Sequence, residues 1–419
     1  MDWYTAGLAA AARAGIGVPD TSAVIIQNGR AIAGWLAFQV TQTFDKATGD
    51  GTVRMSPQPG MPLPIMMGDE VQIVCAGTPV ITGHVHRVWG EHDIASHVIQ
   101  AQIRDRTQDM VDSTIGPKHN IDPPCSLKEV CEKTLKTMGL NKIRVIDKLK
   151  GASPFTIGEK VSGAIDERGH EHVERWAAKR NAVMTTDGMG NLVLAQNDGE
   201  RLAGASLHFG MPDDPLNNVI RSQFGIDDFN RHNAHAVAGQ KSPNDRGWEG
   251  RGKDDPDAQG KPVSSRYGVA HDRSVRPERR KHSRAGKGSS GHSPRESAKW
   301  RSNTMRAKSN EYVATVAGFT TASGELWWPG KIVAVYDYWW NISADLFLKE
   351  VNFSKELKKG ALTQLKFGLE DSYRAQSGRT PSAGRTGSAM PGDPGEVHEG
   401  ATPDELGLDP DKSEIEVDK

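Results

Sequence analysis

The sequence predicts an α+β fold that is rich in β-strands, with two antiparallel β domains and a small α+β insert between them. From Ser22 to Ser113, short β-branched and apolar runs alternate with turn formers at a spacing of about 8 to 12 residues, which is typical of a small barrel or sandwich. The apolar spacing then becomes helical, and β-type runs return after Asn218. These observations indicate the order β, α+β, β along the chain.

The first β region contains runs of alternating or continuous apolar residues that are separated by Gly, Asn and Asp. The runs are 23–26, 35–40, 71–74, 80–88 and 97–103.

The insert is predicted from a change of period. Apolar residues lie at helical spacing from Leu127 to Met138, and Gly139 follows at a position typical of a helix C-cap. A second helix is expected from about Arg168 to Asn181, and a β-hairpin that turns at Asp187-Gly188 comes directly after it. The insert is therefore a compact α+β unit.

The second β region is predicted from runs at 218–224, 235–239, 312–316, 331–335, 346–351 and 362–367. About seventy polar residues interrupt it, and they contain one predicted helix near Pro294 to Lys308. From Gln376 onward, Gly, Pro, Ser and acidic residues leave too little apolar surface to offset the entropy of ordering. We therefore expect a flexible acidic tail.

These boundaries give six segments. They are an N-terminal arm (1–21), a first β-barrel domain (22–113), a small α+β domain (114–204), a second β-barrel domain (205–240 plus 310–373), a basic excursion with one helix (241–309) and the acidic tail (374–419).

Length and composition limit the class of protein. The 419 residues are 36% hydrophobic and 25% charged, so we expect roughly two to four domains. No window approaches the roughly 18 uninterrupted apolar residues that a membrane-spanning helix needs, and the Ala-rich start lacks the basic region of a signal peptide. We expect the three cysteines to be reduced thiols in a protein that folds in a cytoplasm.

The net charge of −1 hides an uneven distribution. Between Gln240 and Ser309 there are 18 Lys and Arg against 8 Asp and Glu, a local balance of +10. From Ala375 to Lys419 there are 10 acidic and 4 basic residues, a balance of −6. Such segments pair with each other or with different neighbours, which concerns association rather than fold.

Two motifs match catalytic or cofactor patterns only in part. Gly286 to Gly291 has the spacing of a dinucleotide-binding loop, but basic residues precede it where that fold needs a hydrophobic strand, so a flexible loop is the better interpretation. Asp227 and Asp228 offer two carboxylates for glycoside hydrolysis, but adjacent residues on an extended chain point to opposite sides. A turn between strands is favoured, and we predict no catalytic or cofactor-binding residue.

Two further groups resemble metal ligands. His170 and Glu174 lie one turn apart on the second predicted helix, but a zincin needs a second His where Glu174 stands, so a solvated helix face is favoured. Cys125 and Cys131 do not share a helix face, so buried thiols are favoured over zinc ligands. We predict no metal site.

An aromatic cluster follows residue 326 and comprises Trp327, Trp328, Tyr336, Tyr338, Trp339 and Trp340. Such rings stack on sugars or bases, but they fill cores and subunit interfaces more often. The basic excursion binds nucleic acid in one interpretation, although its Gly and Ser content and scattered acids favour an assembly contact or a solvated loop.

Several stretches, in order, resemble a known family. Gly68 to Ile73 followed by Val80 to Val88 looks like its "GD.V.V ….TG.VD.V" hairpin, and Arg104 to Ser113 is similar to its most recognisable segment, although Ile103 stands where the family commonly has Gly. Glu174 to Arg180, Asn218 to Ile220, Gly239-Gln240, Val275 to Pro277 and Gly324 to Gly330 follow in the family's order. Over residues 22–373 the chain thus resembles the contractile-tail phage baseplate hub proteins, the tail protein D-like group that includes the Mu-like 44-kDa tail protein.

The resemblance implies a structural protein without a catalytic centre, cofactor or metal. It implies a homotrimer in which each chain carries two similar small antiparallel β-barrels, so that the ring joins a sixfold tail tube to a threefold central spike. The implied partners are the tail tube, spike and baseplate wedge proteins, with the tape-measure protein and DNA passing through the lumen without specific binding. The implied location is the virion baseplate, after assembly in the host cytoplasm, without membrane insertion.

Within that interpretation, Trp327 and Trp328 are candidates for anchoring the core or a subunit interface at the second barrel. The basic excursion and the acidic tail are expected to contact neighbouring baseplate proteins or each other. Two alternatives remain open: a cell-wall hydrolase of the tail tip, and a nucleic-acid-binding protein that uses residues 240–309.

Overall fold

The computed structural model describes residues 20–57, 63–94, 97–116, 119–150, 154–155, 161–164, 166–238, 267–284, 294–370 and 373. The N-terminal arm up to residue 19, the glycine-rich loop at 286–291 and the acidic tail lie outside these residues. None of the helices in the described ranges has the length and apolar character needed to cross a bilayer.

The first β region contains seven strands. They are β1 (Ala23–Gln27), β2 (Arg30–Ile32), β3 (Trp35–Thr43), β4 (Asp50–Met55), β5 (Glu70–Cys75), β6 (Thr78–His92) and β7 (His97–Asp105). All their pairings are antiparallel, in the order β3-β4-β7-β6-β5-β1-β2.

The insert contains three helices and five short strands. They are α1 (Gln108–Asp112), β8 (Asn120–Ile121), α2 (Leu127–Thr137), β9 (Val145–Asp147), β10 (Val161–Ser162), α3 (Gly169–Ala178), β11 (Val183–Thr186) and β12 (Leu192–Ala195).

Both helices predicted in the insert are present. Helix α2 begins with a capping box, in which the backbone N–H of Glu129 donates to Ser126 Oγ and the Glu129 carboxylate accepts from the N–H of Ser126. It is followed by Gly139 at a φ of 76°. The predicted hairpin at Asp187-Gly188 is also present, because β11 pairs antiparallel with β12.

The rest of the described chain contains nine strands and one helix. They are β13 (Arg201–Phe209), β14 (Val219–Ile226), β15 (Ala234–Ala238), β16 (Tyr267–His271), β17 (Arg280–Arg284), α4 (Pro294–Ser309), β18 (Asn310–Ala317), β19 (Ile332–Asp337), β20 (Ile342–Glu356) and β21 (Gly360–Leu369).

The second β region is one run of six strands in the order β14-β18-β21-β20-β19-β13. Strands β13 and β19 are parallel, so this region is not purely antiparallel as the sequence predicted. The two regions are also not separate, because β20 pairs with β3 and joins them in one thirteen-stranded sheet with a shared apolar core. No closed sheet occurs among the described strands, so the prediction of two barrels is not confirmed in that respect.

One predicted strand of the second β region lies elsewhere. The run at 235–239 forms β15, which pairs with β16 and β17 in a separate three-stranded sheet that packs against α4. We call β15, β16, β17 and α4 the third unit. The basic excursion thus folds in part around a strand assigned by sequence to the β domain, and it contains two strands that the sequence did not indicate beside its predicted helix.

The two β regions are alike in strand order. The order β3-β4-β7-β6-β5-β1 corresponds to β14-β18-β21-β20-β19-β13, and β6 and β20 are both 15 residues long. Register shifts, which mark β-bulges, occur at equivalent places: between Val85 and Arg87 in β6 and Leu348 and Glu350 in β20, and between Trp35 and Ala37 in β3 and Val219 and Arg221 in β14.

The likeness extends to single hydrogen bonds. The N–H of Gly68 donates to the carbonyl of Val85 at 2.9 Å, and the N–H of Gly330 donates to the carbonyl of Leu348 at 2.9 Å. Each bond holds the chain that enters β5 or β19 against the residue before the bulge. The chain therefore carries an internal repeat, although β1 runs antiparallel to β5 where β13 runs parallel to β19.

Gly83 of the first β region tests how tightly β6 and β7 are packed. A Cβ at Gly83 would lie 1.8 Å from the carbonyl oxygen of Arg104, a backbone atom that moves only with its strand. We expect Gly83→Ala to lower the free energy of unfolding by about 3 kcal/mol, measured by chemical denaturation. The control is Gly116→Ala, where nothing lies within 4 Å, and an equal loss in both variants would contradict the prediction.

Candidate functional site

The two tryptophans predicted as anchors have different positions. Trp327 is 3% exposed and lies in the core shared by the two β regions, and its N–H donates to the carbonyl of Phe319 at 3.1 Å. Trp328 is half-buried, and its ring lies so close to the hairpin turn of the insert that a Cβ at Gly188 would come within 2.9 Å of it. Trp327 is thus a core residue, and Trp328 connects the second β region with the insert.

The other aromatic residues of the cluster face solvent. Tyr338 and Trp339 are 64% and 59% exposed, in the turn between β19 and β20. Trp340 donates from Nε1 to Ser222 Oγ at 3.1 Å, and its ring centroid lies 6.0 Å from that of Phe224 on β14. The aromatic cluster of the sequence is therefore two groups, one inside the core and one on the surface beside β14.

The junction between the β regions is the pairing of β20 with β3. Seven residue pairs join them, from Glu350 opposite Thr43 to Glu356 opposite Ala37. Phe353 is opposite Val40 at the centre, and both side chains are fully buried. Sequence analysis missed this junction, although the repeated Gly followed two or three residues later by alternating apolar residues, at Gly68 and Gly330, is a signal of an internal repeat.

The insert is attached to the first β region by buried polar contacts. Thr186 Oγ1 donates to Asp105 Oδ2 at 2.9 Å, and Thr82 Oγ1 donates to the carbonyl of Gly188 at 2.9 Å. Burial raises the pKa of the Asp105 carboxyl to about 7, against the lowering effect of the hydrogen bonds from Thr186 and Thr107. The junction therefore contains a carboxyl that burial favours in its protonated form.

The residues considered as metal ligands do not come together. His170 is half-buried and Glu174 is exposed. The neighbouring His172 is buried instead, with Nδ1 3.1 Å from Glu167 Oε2 and its ring centroid 5.1 Å from that of His119. Burial lowers the pKa of His172. Within the described ranges, no group of three His, Cys, Asp or Glu side chains is placed to hold a metal ion.

The remaining candidates also have structural positions. Cys125 and Cys131 are both buried in the insert core, and burial raises the pKa of the Cys131 thiol. Asp227 ends β14 and accepts from the N–H of Phe229 at 3.2 Å, while Asp228 pairs with Arg279 at 2.8 Å. The two acids form a turn leading to the third unit, as the sequence indicated.

Comparisons with known proteins agree with this architecture. Residues 23–105 match the family described as Mu phage baseplate assembly protein GpP-like, N-terminal. The chain is 24% identical over 312 residues to the baseplate hub protein gp44 of Escherichia phage Mu, which covers 74% of this chain and 77% of that protein. The resemblance indicated by the sequence is thereby confirmed.

Two solved structures share the fold. The 43 kDa tail protein of prophage MuSo2 from Shewanella oneidensis superposes with a TM-score of 0.68 at 20% identity, covering 84% of this chain and 99% of that one. The tail protein from Neisseria meningitidis MC58 superposes with a TM-score of 0.69 at 18% identity, covering 84% of this chain and 97% of that one.

The positions of the two tryptophans predict unequal effects. We expect Trp327→Ala to lower the free energy of unfolding by about 3–5 kcal/mol, because it empties a core site. Trp328→Ala removes a half-buried ring, with an expected loss of about 1–2 kcal/mol. Trp339→Ala is the exposed control and should stay within about 0.5 kcal/mol of the parent chain in chemical denaturation. Equal effects of Trp327→Ala and Trp339→Ala would contradict the core position.

Asp105 predicts a pH dependence. Its carboxyl has a pKa of about 7 when folded against the ordinary 3.8, so the unfolded chain releases this proton first as pH rises. The stability due to Asp105 is full below about pH 4 and is lost as pH rises through 7. Between pH 5 and 8, the free energy of unfolding of Asp105→Asn should rise by about 2–3 kcal/mol relative to the parent chain, measured by chemical denaturation.

The matched control for this experiment is Asp112→Asn, which changes an exposed carboxylate at the end of α1. Its difference from the parent chain should be the same at pH 5 and pH 8. A pH-independent difference between Asp105→Asn and the parent chain would show that Asp105 does not titrate in this range.

Proposed function

We propose that this chain is a structural subunit of a phage tail baseplate hub that connects the tail tube to the central spike. The match of residues 23–105 and the relationship to the Mu hub protein support this role. The observation that carries the proposal is the internal repeat, in which two β regions of the same strand order are joined in one chain by β20 and β3.

The repeat is suited to a change of rotational symmetry. Three chains in a cyclic trimer contain six similar β regions, and these form a surface of near-sixfold symmetry for a tail tube. The insert and the third unit occur once in each chain, so they repeat only three times around the same axis. One face of the ring thus has six similar parts and another has three, which matches a threefold spike.

Each β region forms a barrel-like wall in this proposal. In the second region, Asn218 connects the first strand to the last: its N–H donates to the carbonyl of His208 at 3.1 Å, and its Nδ2 donates to the carbonyl of Ser206 at 2.7 Å. These bonds bring the start of β14 against β13, at opposite ends of the six-strand order. The ring encloses a lumen for the tape-measure protein and DNA.

The structure gives the basic excursion an internal role that does not require nucleic acid. Arg231 and Asp272 are both buried, with Nη2 and Oδ2 2.8 Å apart, and Arg306 lies beside the same carboxylate. Arg279 donates to the carbonyl of Phe229 at 2.7 Å and pairs with Asp228. These cations hold the third unit together, and the proposed role of the unit is contact with neighbouring baseplate proteins.

Imaging of purified phage tails tests the proposed function. We expect cryo-electron microscopy to show three copies of this chain at the end of the tail tube, with six β regions facing the tube and the spike below them. Six copies, or a position away from the tube end, would contradict the proposal. Lysis of purified cell wall by the isolated chain would favour the hydrolase alternative instead.

A further inference from the structure

The internal repeat contains one pairing without its counterpart. In the second half of β20, residues 350–356 pair with β21 on one side and with β3 on the other. The equivalent second half of β6 pairs with β7, but no described strand pairs with its other side beyond residue 84. Likewise, β14 is equivalent to β3, and it ends the sheet with β18 as its only strand partner.

The shared bulges fix which residues correspond. Arg87 follows the bulge of β6 as Glu350 follows that of β20, and Arg221 follows the bulge of β14 as Ala37 follows that of β3. Counting from these positions, the segment equivalent to Glu350–Glu356 is 87–93, and the segment equivalent to Ala37–Thr43 is 221–227. The two halves of the junction thus recur in the chain as unpaired edges.

Both segments are exposed where their counterparts are covered. Trp89 is 37% exposed and Ile226 is 44% exposed, whereas Phe353 and Val40 at the internal junction are fully buried. A strand edge of this kind presents unpaired N–H and C=O groups, and pairing with another strand satisfies them. The exposure of apolar residues on both edges points to a protein partner.

Side chains on the two edges are complementary in the register of the internal junction. That register places Arg87 opposite Asp227 and Val88 opposite Ile226. Further along, Gly90 lies opposite Phe224, and Asp93 lies opposite Arg221. Opposite charges therefore face each other at both ends of the ladder, and a glycine leaves room for the largest ring.

We propose that the edge of β6 at 87–93 in one copy pairs antiparallel with the edge of β14 at 221–227 in the next copy, in the register of the β20–β3 junction. This deepens the proposed ring and rests on it. The two edges differ, so the contact is head-to-tail and generates a closed ring when its rotation closes. The ring then contains one kind of strand junction, alternately within and between chains.

Disulfide trapping in the full-length chain tests the register. Glu91 and Gln223 are directly opposite in the proposed ladder, both are exposed, and opposite residues have Cβ atoms about 4.5–5.5 Å apart. The three native cysteines are buried and do not compete. Under oxidation, the double variant Glu91→Cys/Gln223→Cys should form covalent trimers that reducing agent separates on a denaturing gel.

The matched control pairs Glu91→Cys with Arg30→Cys, because Arg30 is exposed on β2 at the other end of the sheet. It should give no covalent trimer. Native mass spectrometry of the same samples separates the two levels of the proposal. A trimer without the Glu91–Gln223 cross-link would overturn the β6–β14 register and leave the ring intact, whereas a chain that remains monomeric would overturn the ring itself.

Charge reversal provides a second readout of the same pairing. Arg87→Glu places like charges opposite each other with Asp227, and we expect it to weaken the trimer about threefold to tenfold per interface in dissociation constant. Asp227→Arg should act similarly, and the double reversal Arg87→Glu/Asp227→Arg should restore most of the affinity. Additive losses in the double variant would exclude this pair from the interface.

Discussion

The satisfaction of strand edges is the constraint on which this structure depends. A β region that ends in an open edge leaves backbone N–H and C=O groups without partners. Between the two β regions, β20 and β3 remove two such edges at once and bury Phe353 against Val40. The core that contains Trp327 is continuous across both regions because this ladder holds them together.

The other units are attached to this sheet by fewer and more polar contacts. The insert has its own apolar core and meets the first β region through Asp105, Thr186 and the turn at Gly188. The third unit contains the buried ion pair of Arg231 and Asp272. Buried polar groups of this kind cost free energy unless they are paired, so they fix relative positions more than they add stability.

The two β regions have the same hydrogen-bonding plan but different surfaces. At the internal junction the central residues are apolar and buried, as in a permanent core. The equivalent unpaired edges contain Arg87, Glu91, Arg221 and Asp227, which keep a separate chain soluble and discourage indiscriminate strand pairing. A repeat in one chain therefore permits one junction to be permanent and the other to form on assembly.

The sequence by itself determined the local elements and their order. Helix α2 with its capping box, helix α3, the hairpin at Asp187-Gly188 and most strands follow from apolar period and turn residues, which are properties of neighbouring residues. Only the tertiary structure decided that β20 joins β3, that β15 leaves the second β region for the third unit, and that Trp327 is buried while Trp339 is exposed. The physical reason is that strand pairing connects residues hundreds of positions apart, and an alternating apolar pattern specifies which face of a strand is buried but not which edge lies beside it.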